Sequence, residues 1–363
     1  MRRLGHSHES TGGSQRWKRK LVSVLMPCYR DIDLVERSLP RILAGSTTDI
    51  EVLVINNDFD QAAQMRGLVS ALSDPRVRLL ELEHRAGFVR AINAGIEAAN
   101  GELVFFANSD LFVERGYLNA MVPFFERRAR AGCAVGKILR YDLDANRETN
   151  IIDTTGHVIG RNRRVIDRGE NQMDVGQYER EEEVFGASGA ALVVRREALE
   201  ATKVHGEYLD ETFHMYKDDI DLCWRLRLHG WECWYVPTAR AHHGRTSRGA
   251  GRNSYLSDVR KFHENEQAKP VHVRMSSMKN HWLVLVKNED VRNLLPDLPR
   301  ILGREALILG YNLMSAPRDT VVAVGRFARV LPHALAKRRE IKLRQCTPAR
   351  EIRTWFVSES HFS

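Results

Sequence analysis

Short apolar runs alternate with amphipathic segments in the first third of the chain. Residues 21–27 (LVSVLMP) and 50–55 (IEVLVI) are rich in β-branched side chains, and turn-forming residues close them, which is typical of buried strands. Between them, residues 31–43 begin with acidic side chains and place apolar residues on one face. This pattern predicts a helix that Pro40 kinks.

The alternation continues for another fifty residues. Residues 77–82 form a third apolar strand, residues 87–99 have the periodicity of a helix, and residues 102–107 form a fourth strand. Strands that alternate with helices at this spacing predict an α/β fold, with a mostly parallel sheet flanked by helices.

Polar residues follow three of these strands. The strand ends carry Pro27-Cys28-Tyr29, Asn56-Asn57-Asp58 and Asn108-Ser109-Asp110. Ligands of open parallel sheets bind at the carboxyl ends of the strands, so these residues are candidates for a ligand edge. Asn-Ser-Asp is also good turn chemistry, and the tripeptide alone does not distinguish a turn from a metal site.

The pattern changes after residue 140. Residues 141–182 are charged and irregular, and we expect loops and a small antiparallel excursion over the ligand edge. A strand with a following helix is predicted from residue 184, and residues 215–229 have the spacing of an amphipathic helix. Residues 231–236 form a further strand that Pro237 should end.

The C-terminal third is predicted to be helical. Residues 280–315 and 319–345 carry apolar stripes interleaved with Arg and Lys. Two interpretations stay open: a helix that lies on an anionic membrane surface, or a helical bundle that packs on the preceding domain. We therefore divide the chain into a disordered basic tail (1–19), an α/β domain (20–250) and a basic helical C-terminal region (251–363).

Composition narrows the classes of protein. The 363 residues carry a formal charge of +8, which favours anionic partners such as nucleotides, nucleic acid or a membrane surface. No apolar run is long enough for a membrane span, and the polar start does not have the pattern of a secretory signal. Five scattered cysteines without a CxxC pair indicate reduced thiols in a cytoplasmic protein, rather than a zinc site.

Five motifs in order resemble inverting family 2 glycosyltransferases with a GT-A fold, above all the rhamnosyltransferase-like members of bacterial polysaccharide synthesis. The resemblance covers residues 21–247 and rests on VSVLMPCYR, VLVINND, RAGFVRAINAGIEAANGELVFFANSD, GASGAALVVRREAL and DETFHMYKDDIDLCWRLRLHGWECWYVPTARAHH. It implies a GT-A catalytic domain, which we assign to residues 20–250. The run KNHWLVLVKN (279–288) is similar to tails in that subgroup.

The resemblance assigns donor-side roles. Asp110 is the carboxylate expected to hold Mg²⁺ or Mn²⁺ beside the diphosphate, and oxygen ligands suit these ions. His242 or His243 would add a nitrogen ligand, and we favour His243. The resemblance also implies nucleotide-sugar binding by seven residues: Pro27, Tyr29, Asn56, Arg85, Arg90, Asn108 and Ser109.

The resemblance also assigns the catalytic pair. Inversion needs a base that takes the proton of the acceptor hydroxyl, and the family places that base at the position of Asp219. Asp218 stands where the family has a longer Glu that positions the acceptor. Helix capping is the alternative for this pair. We expect Asp221 to be a surface or capping group.

The sequence therefore predicts a metal-dependent inverting transferase in the cytoplasm, peripheral at the inner face of the membrane. It would move a sugar, such as rhamnose or another deoxyhexose, from a nucleotide-diphosphate donor to a lipid-linked or polysaccharide acceptor. A non-catalytic nucleotide-sugar-binding scaffold is the alternative, because Asn56 and Asn108 replace family carboxylates. A nucleic-acid-binding protein would show aromatic residues interleaved on a basic surface or a known motif, and neither is present.

Overall fold

A computed structural model describes residues 21–83, 86–245 and 259–358 of the chain. The predicted tail of residues 1–19 and Arg85 lie outside these ranges. The predicted α/β architecture is confirmed. The first half contains β1 (Val22–Cys28), α1 (Ile32–Gly45), β2 (Ile50–Asn56), α2 (Ala62–Leu72), β3 (Val77–Glu81), α3 (Phe88–Ala98), β4 (Leu103–Ala107), β5 (Leu111–Val113) and α4 (Tyr117–Arg127).

The second half contains the remaining elements. They are β6 (Ala131–Asp142), β7 (Arg147–Thr154), β8 (His157–Gly160), β9 (Val165–Asp167), β10 (Glu182–Glu183), β11 (Ala191–Arg195), α5 (Arg196–Ala201), a 3₁₀ turn (Glu211–Phe213), α6 (Asp218–Leu228), β12 (Glu232–His243), α7 (Val259–Gln267), α8 (Val271–Asn288), α9 (Val291–Ser315), α10 (Pro317–Arg344), α11 (Ala349–Arg353) and β13 (Phe356–Val357).

The central sheet has the strand order β10-β12-β6-β11-β4-β1-β2-β3. β4, β1, β2 and β3 are mutually parallel, and β6 and β12 run in the same direction because β11 is antiparallel to both β4 and β6. The sheet is therefore mostly parallel, as predicted. Its central strands β1, β2, β4, β6 and β11 are almost completely buried, whereas β3 and β10 at its edges are partly exposed, and the central strands form one core with the helices on either side.

Three predictions about local structure need correction. The strand predicted to end at Pro237 continues to His243, because a register shift between Val236 and Arg240 accommodates the proline, which has no N–H for the ladder. The helix α6 begins at Asp218, three residues later than predicted. It is also buried on nearly all sides rather than on one face, since α8 covers the side that β12 does not.

The C-terminal helices meet the α/β domain at several points. α8 packs on α6 and α10, and Arg163 in the loop after β8 is fully buried and pairs with Glu289 and Asp297 at the start of α9. β13 joins β8 and β9 in a small second sheet. Within the described residues, no helix combines the length and apolar character needed to cross a membrane.

Candidate active site

A cavity of about 910 Å³ lies where the carboxyl ends of β1 and β4 face the beginning of α6 and the end of β12. Most residues that the sequence singled out line it. They are Pro27, Tyr29, Asn108, Ser109, Asp110, Asp218, Asp219 and His243. The parallel topology brings these distant segments together at one edge.

Asn56, which the sequence assigned to the donor base, lies behind the wall of the cavity. Its side chain is buried, and its oxygen accepts a hydrogen bond from the backbone N–H of Asp58 at 3.1 Å. Asn57 lines the cavity instead, and its side-chain oxygen accepts from the backbone N–H of Ala86 at 2.8 Å. Tyr29 is 45% exposed at this end, and the Arg30 guanidinium lies over its ring, 5.4 Å from the ring centroid.

Arg90 does not line the cavity. Its side chain is largely exposed, and its Nε donates to Glu211 at 2.8 Å.

The Asn108–Asp110 segment forms a turn, and the same three residues line the cavity. The backbone N–H of Leu111 donates to the Asn108 carbonyl at 3.0 Å, which closes the turn. The Ser109 hydroxyl donates to Asp31, a residue that the sequence analysis did not single out. Burial raises the pKa of Asp31 to about 6. Asp110 is buried at the cavity edge, 3% exposed.

The two adjacent histidines face opposite sides of β12, because side chains alternate along a strand. The Nε2 atom of His243 lies 3.3 Å from Asp110 Oδ1. His242 instead lies 3.1 Å from Glu114 Oε1, on the other face. Only His243 therefore shares the cavity with Asp110.

Asp153, at the end of β7, orients His243. Its Oδ2 atom accepts from His243 Nδ1 at 2.9 Å, which leaves Nε2 facing Asp110. Burial lowers the pKa of His243, but the carboxylates of Asp110 and Asp153 outweigh burial and raise this pKa to about 10. Asp153 fixes the orientation of the His243 ring, and the Asp110 carboxylate lies next to its other nitrogen. This arrangement fits a divalent cation, because a carboxylate that orients a histidine ring prepares it for metal binding. Asp110 and His243 are the residues that would hold it.

A second cluster of metal-ligating type lies in the core. The cysteines that are scattered in sequence include three whose sulfur atoms all lie within 4.8 Å of one another, namely Cys133, Cys223 and Cys233. All three are fully buried. Thiolates favour soft metals, whereas phosphate chemistry requires an ion with hard oxygen ligands. The Asp110–His243 position is therefore the better site for Mg²⁺ or Mn²⁺.

Arg245 closes this side of the cavity. Its guanidinium pairs with Asp153, with Asp167 at 2.9 Å and with Glu170 at 2.6 Å. The predicted excursion over the site is thus confirmed: β7, β8 and β9 supply Asp153, Asp167 and neighbouring residues to the wall. Local sequence patterns carry no signal for this cluster, because Asp153 and Arg245 are 92 positions apart in the chain.

Asp219 lies across the cavity from the strand ends. Its Oδ2 atom accepts from the backbone N–H of Gly189 at 3.0 Å, and its Oδ1 accepts from Ile220 N–H at 2.8 Å. A Cβ atom at Gly189 would lie 3.3 Å from the Asp219 Cβ atom, so the small residue gives this carboxylate room. Two N–H donors suit an ionised carboxylate that acts as a base.

The neighbouring carboxyl groups of α6 have different surroundings. Burial, and then the charge of Asp219, raise the pKa of Asp218 to about 8. Asp221 is fully buried and accepts from Lys287 at 2.8 Å, Arg225 at 3.0 Å and Asn288 at 2.8 Å. The expectation that Asp221 is a surface or capping group is therefore wrong, because α8 covers that side of α6.

The segment before α6 has an unusual backbone. His214, Tyr216 and Lys217 have positive φ angles of 64°, 66° and 69°. Non-glycine residues in this region cost about 1–3 kcal/mol each and need support from their surroundings. Asn280 of α8 gives that support: its Nδ2 atom donates to the carbonyls of Phe213, Met215 and Tyr216 at 2.8–3.1 Å.

The fold and the site define the class of protein. The mostly parallel sheet with its cleft at the strand ends is a GT-A-like α/β fold, as predicted, and the C-terminal helical extension is present. The crystal structure of GalNAc-T7 with UDP, GalNAc and Mn²⁺ is similar, with a TM-score of 0.52 and 14% identity over 75% of this chain and 48% of that one.

The chain belongs to the family described as "Glycosyltransferase like family 2", whose model matches residues 19–268. The succinoglycan biosynthesis protein ExoO of Rhizobium meliloti is 33% identical over 31% of this chain and 31% of its own length. The poly-beta-1,6-N-acetyl-D-glucosamine synthase of Staphylococcus aureus is 23% identical over 60% of this chain and 48% of its own length. The matched region thus spans about a third to a half of these relatives.

Proposed function

We propose that the protein is an inverting glycosyltransferase that uses a nucleotide-diphosphate sugar. One observation carries the proposal: Asp219 faces the same cavity as Asp110 and His243. A candidate base and a candidate diphosphate site therefore share one space, as a direct displacement requires. A binding scaffold would not need a carboxylate held by two backbone N–H groups in this position.

Each end of the cavity has a part in the proposed reaction. The donor lies along Tyr29, Asn57 and Asn108, with its diphosphate towards Asp110. A Mg²⁺ or Mn²⁺ ion held by Asp110 and His243 would neutralise the leaving diphosphate. Asp219 takes the proton of the acceptor hydroxyl as the oxygen attacks the anomeric carbon from the opposite face of the sugar, so the configuration inverts.

The relatives indicate the kind of product. One is a succinoglycan biosynthesis protein and another a poly-beta-1,6-N-acetyl-D-glucosamine synthase, so we propose a lipid-linked or polysaccharide acceptor in polysaccharide synthesis. Rhamnose or another deoxyhexose is our candidate for the transferred sugar. We place the reaction at the inner face of the cell membrane, because α9 and α10 expose apolar side chains beside arginines.

The proposal is tested by donor turnover. The purified protein is incubated with Mn²⁺ or Mg²⁺ and a panel of UDP-, GDP- and dTDP-sugars, and nucleoside diphosphate release is measured with and without a membrane extract as the acceptor source. We expect acceptor-stimulated release with one donor. Asp219→Asn should reduce it at least 10³-fold while the Kd of the donor changes less than threefold.

Asp144→Asn is the matched control, because this exposed carboxylate lies in the turn between β6 and β7, outside the wall of the cavity. Parental turnover by Asp219→Asn would contradict the assignment of the base. Tight binding of a nucleotide sugar without turnover under any condition would instead support the scaffold.

A further inference from the structure

Three cysteine thiols from three different elements meet in the core. Cys133 lies on β6, Cys233 on the neighbouring β12, and Cys223 on α6, one turn after Asp219. Their Sγ atoms all lie within 4.8 Å of one another, and the three side chains are fully buried. We call this group the thiol triangle. Because it joins α6 to two strands of the sheet, a ligand held there would fix the helix that carries the candidate base.

The size of the thiol triangle suits one metal ion. A zinc ion that is bound at about 2.3 Å holds the sulfur atoms of a tetrahedral site about 3.8 Å apart. Edges of at most 4.8 Å therefore need to shorten by about 1 Å or less. The ion takes the place of three S–H protons, so it adds little volume to the packed core.

The thiol protons of the triangle have only long hydrogen bonds. Cys223 S–H donates to the Ala187 carbonyl at 3.7 Å, and Cys233 S–H donates to the Cys223 carbonyl at 3.9 Å. Cys28, a buried cysteine outside the thiol triangle, donates to the Met26 carbonyl at 3.2 Å instead. The backbone N–H of Ala187 also donates to Cys223 Sγ at 3.4 Å, and such a donor stabilises a thiolate. The thiolate is the form of cysteine that binds metal.

His157 is placed to supply a fourth ligand. It is 5% exposed, and its Nδ1 atom has no hydrogen-bond partner among the described residues. A Cβ atom at Gly186 would lie 3.2 Å from Cys223 Sγ and 3.5 Å from His157 Nδ1, so the glycine leaves both atoms next to one space. The other ring nitrogen, Nε2, lies 3.5 Å from Asp167 Oδ1. A carboxylate on the outer nitrogen is the usual partner of a histidine that binds zinc.

We infer that the thiol triangle, with His157 as the fourth ligand, binds a structural zinc ion. This inference goes beyond the proposed transferase reaction and does not depend on it. Three sulfurs and one nitrogen form a closed site, which is typical of structural zinc. Binding releases the three thiol protons, and the ring of His157, which is not a member of the 4.8 Å group, moves towards the sulfur atoms. The bound complex carries one negative charge, and Arg227 lies beside it, with its NH2 group 3.4 Å from the Cys233 carbonyl.

The sequence predicted no zinc site, because the cysteines are scattered and form no CxxC pair. The proposed ligands come from β6, β8, α6 and β12, so no local spacing could reveal them. A zinc ion that connects these elements stabilises the folded state, since the unfolded chain does not hold the ligands together.

The test is the zinc content of the full-length protein. The protein is expressed in zinc-supplemented medium and dialysed against Mn²⁺ and UDP, which compete for the Asp110–His243 position. We expect about one zinc ion per chain to remain, and X-ray absorption to show three sulfur atoms at about 2.3 Å and one nitrogen at about 2.0 Å. Protein from zinc-depleted medium should unfold about 5 °C or more below the zinc-loaded form.

Substitutions of the ligands identify the site. Cys133→Ala and Cys223→Ala should each lower the retained zinc about fivefold or more, and His157→Gln should weaken zinc retention about tenfold. Cys346→Ala removes the exposed cysteine and is the matched control, which should keep its zinc. Circular dichroism shows whether each variant folds, and the absorption spectrum of the parent tests the site without any substitution.

Two results would overturn the inference. The first is a parent protein that keeps no zinc after dialysis, or whose zinc has no sulfur neighbours in the absorption spectrum. The second is full zinc retention by both cysteine variants. If only His157→Gln kept its zinc with the parental spectrum, the role of His157 as the fourth ligand would be wrong.

Discussion

Adjacent carboxyl groups at the start of α6 have different chemistry because their surroundings differ. Asp218 is buried next to two other carboxyl groups, Asp219 and Asp221, and this raises its pKa. Asp219 lies at the cavity wall and accepts two backbone N–H donors. The pair therefore combines a carboxyl group whose raised pKa favours its protonated form, Asp218, with one that faces the cavity, Asp219, and general-base catalysis uses such a division.

The raised pKa of Asp218 makes stability depend on pH in a defined direction. The folded protein keeps the proton up to about pH 8, whereas the unfolded chain releases it near 3.8, so ionisation opposes folding as pH rises through this interval. Asp218→Asn should therefore stabilise the protein increasingly between pH 4 and 8, by at most about 6 kcal/mol. Urea unfolding at several pH values measures the difference. A pH-independent difference would contradict the expectation.

Asp153 acts on the cation through His243. We predict that Asp153→Asn weakens Mn²⁺ binding about 10- to 100-fold, because the ring loses the carboxylate that orients it. Mn²⁺ binding is followed by electron paramagnetic resonance with a nucleoside diphosphate present. His242→Gln is the matched control, since this neighbouring histidine faces Glu114. Equal Mn²⁺ affinity of Asp153→Asn and the parent would argue against the site.

At the scale of elements, α8 lines the candidate active site although it follows the α/β domain in the chain. Asn280 holds the strained loop before α6, and Lys279 donates to the Thr212 carbonyl at 2.7 Å. About two turns further along α8, Lys287 and Asn288 donate hydrogen bonds to Asp221 of α6. The helix therefore fixes both the approach to Asp219 and the helix that carries it.

Removal of the Asn280 amide should affect catalysis more than donor binding. We expect Asn280→Ala to lower kcat about tenfold, because three carbonyls lose their donor and the 213–217 loop departs from its strained geometry. The donor KM should change less than threefold, since the strand ends are untouched. Steady-state kinetics gives both values. His272→Ala, at an exposed position of α8, is the control. If Asn280→Ala changed only the donor KM and left kcat unchanged, the role of Asn280 in supporting the loop for catalysis would be refuted.

At the scale of the whole molecule, α9 and α10 form a hairpin whose tip is unusually apolar for an exposed surface. Met314, Val321 and Val322 are 88%, 65% and 51% exposed, and Arg318 and Arg326 are exposed beside them. Apolar side chains next to cations suit the interface of an anionic membrane. α8 packs on α6 and α10, as the bundle interpretation expects, and we propose the outer hairpin as the surface that would contact a membrane.

Vesicle sedimentation tests the hairpin. Vesicles of phosphatidylcholine with 30% phosphatidylglycerol should bind the protein, and binding should fall with salt and without the anionic lipid. Met314→Glu with Val321→Glu should reduce the partition coefficient at least tenfold, because two apolar contacts become charged. Val175→Glu changes a 79% exposed side chain in the loop before β10 and is the control. Undiminished binding of the double variant would contradict the prediction.

The fold was largely accessible from the sequence. Strand and helix periodicity depends on neighbours along the chain, so the parallel half of the sheet and its polar ends were predicted near their observed bounds. The candidate set around Asp110, Asp219 and His243 followed from motif order. Their placement in one cavity agrees with that expectation, while Arg90 lies outside the cavity wall and Asn57 takes the wall position that Asn56 was expected to have.

Tertiary structure alone decided which charges face one another. The sequence determined the elements, the turn that carries Asp110 and the start of the helix that carries Asp219, because these depend on local spacing. It did not determine that Asp153 orients His243 or that Asp221 is buried. Those properties depend on contacts between residues tens of positions apart, and only the packed chain sets their distances and burial.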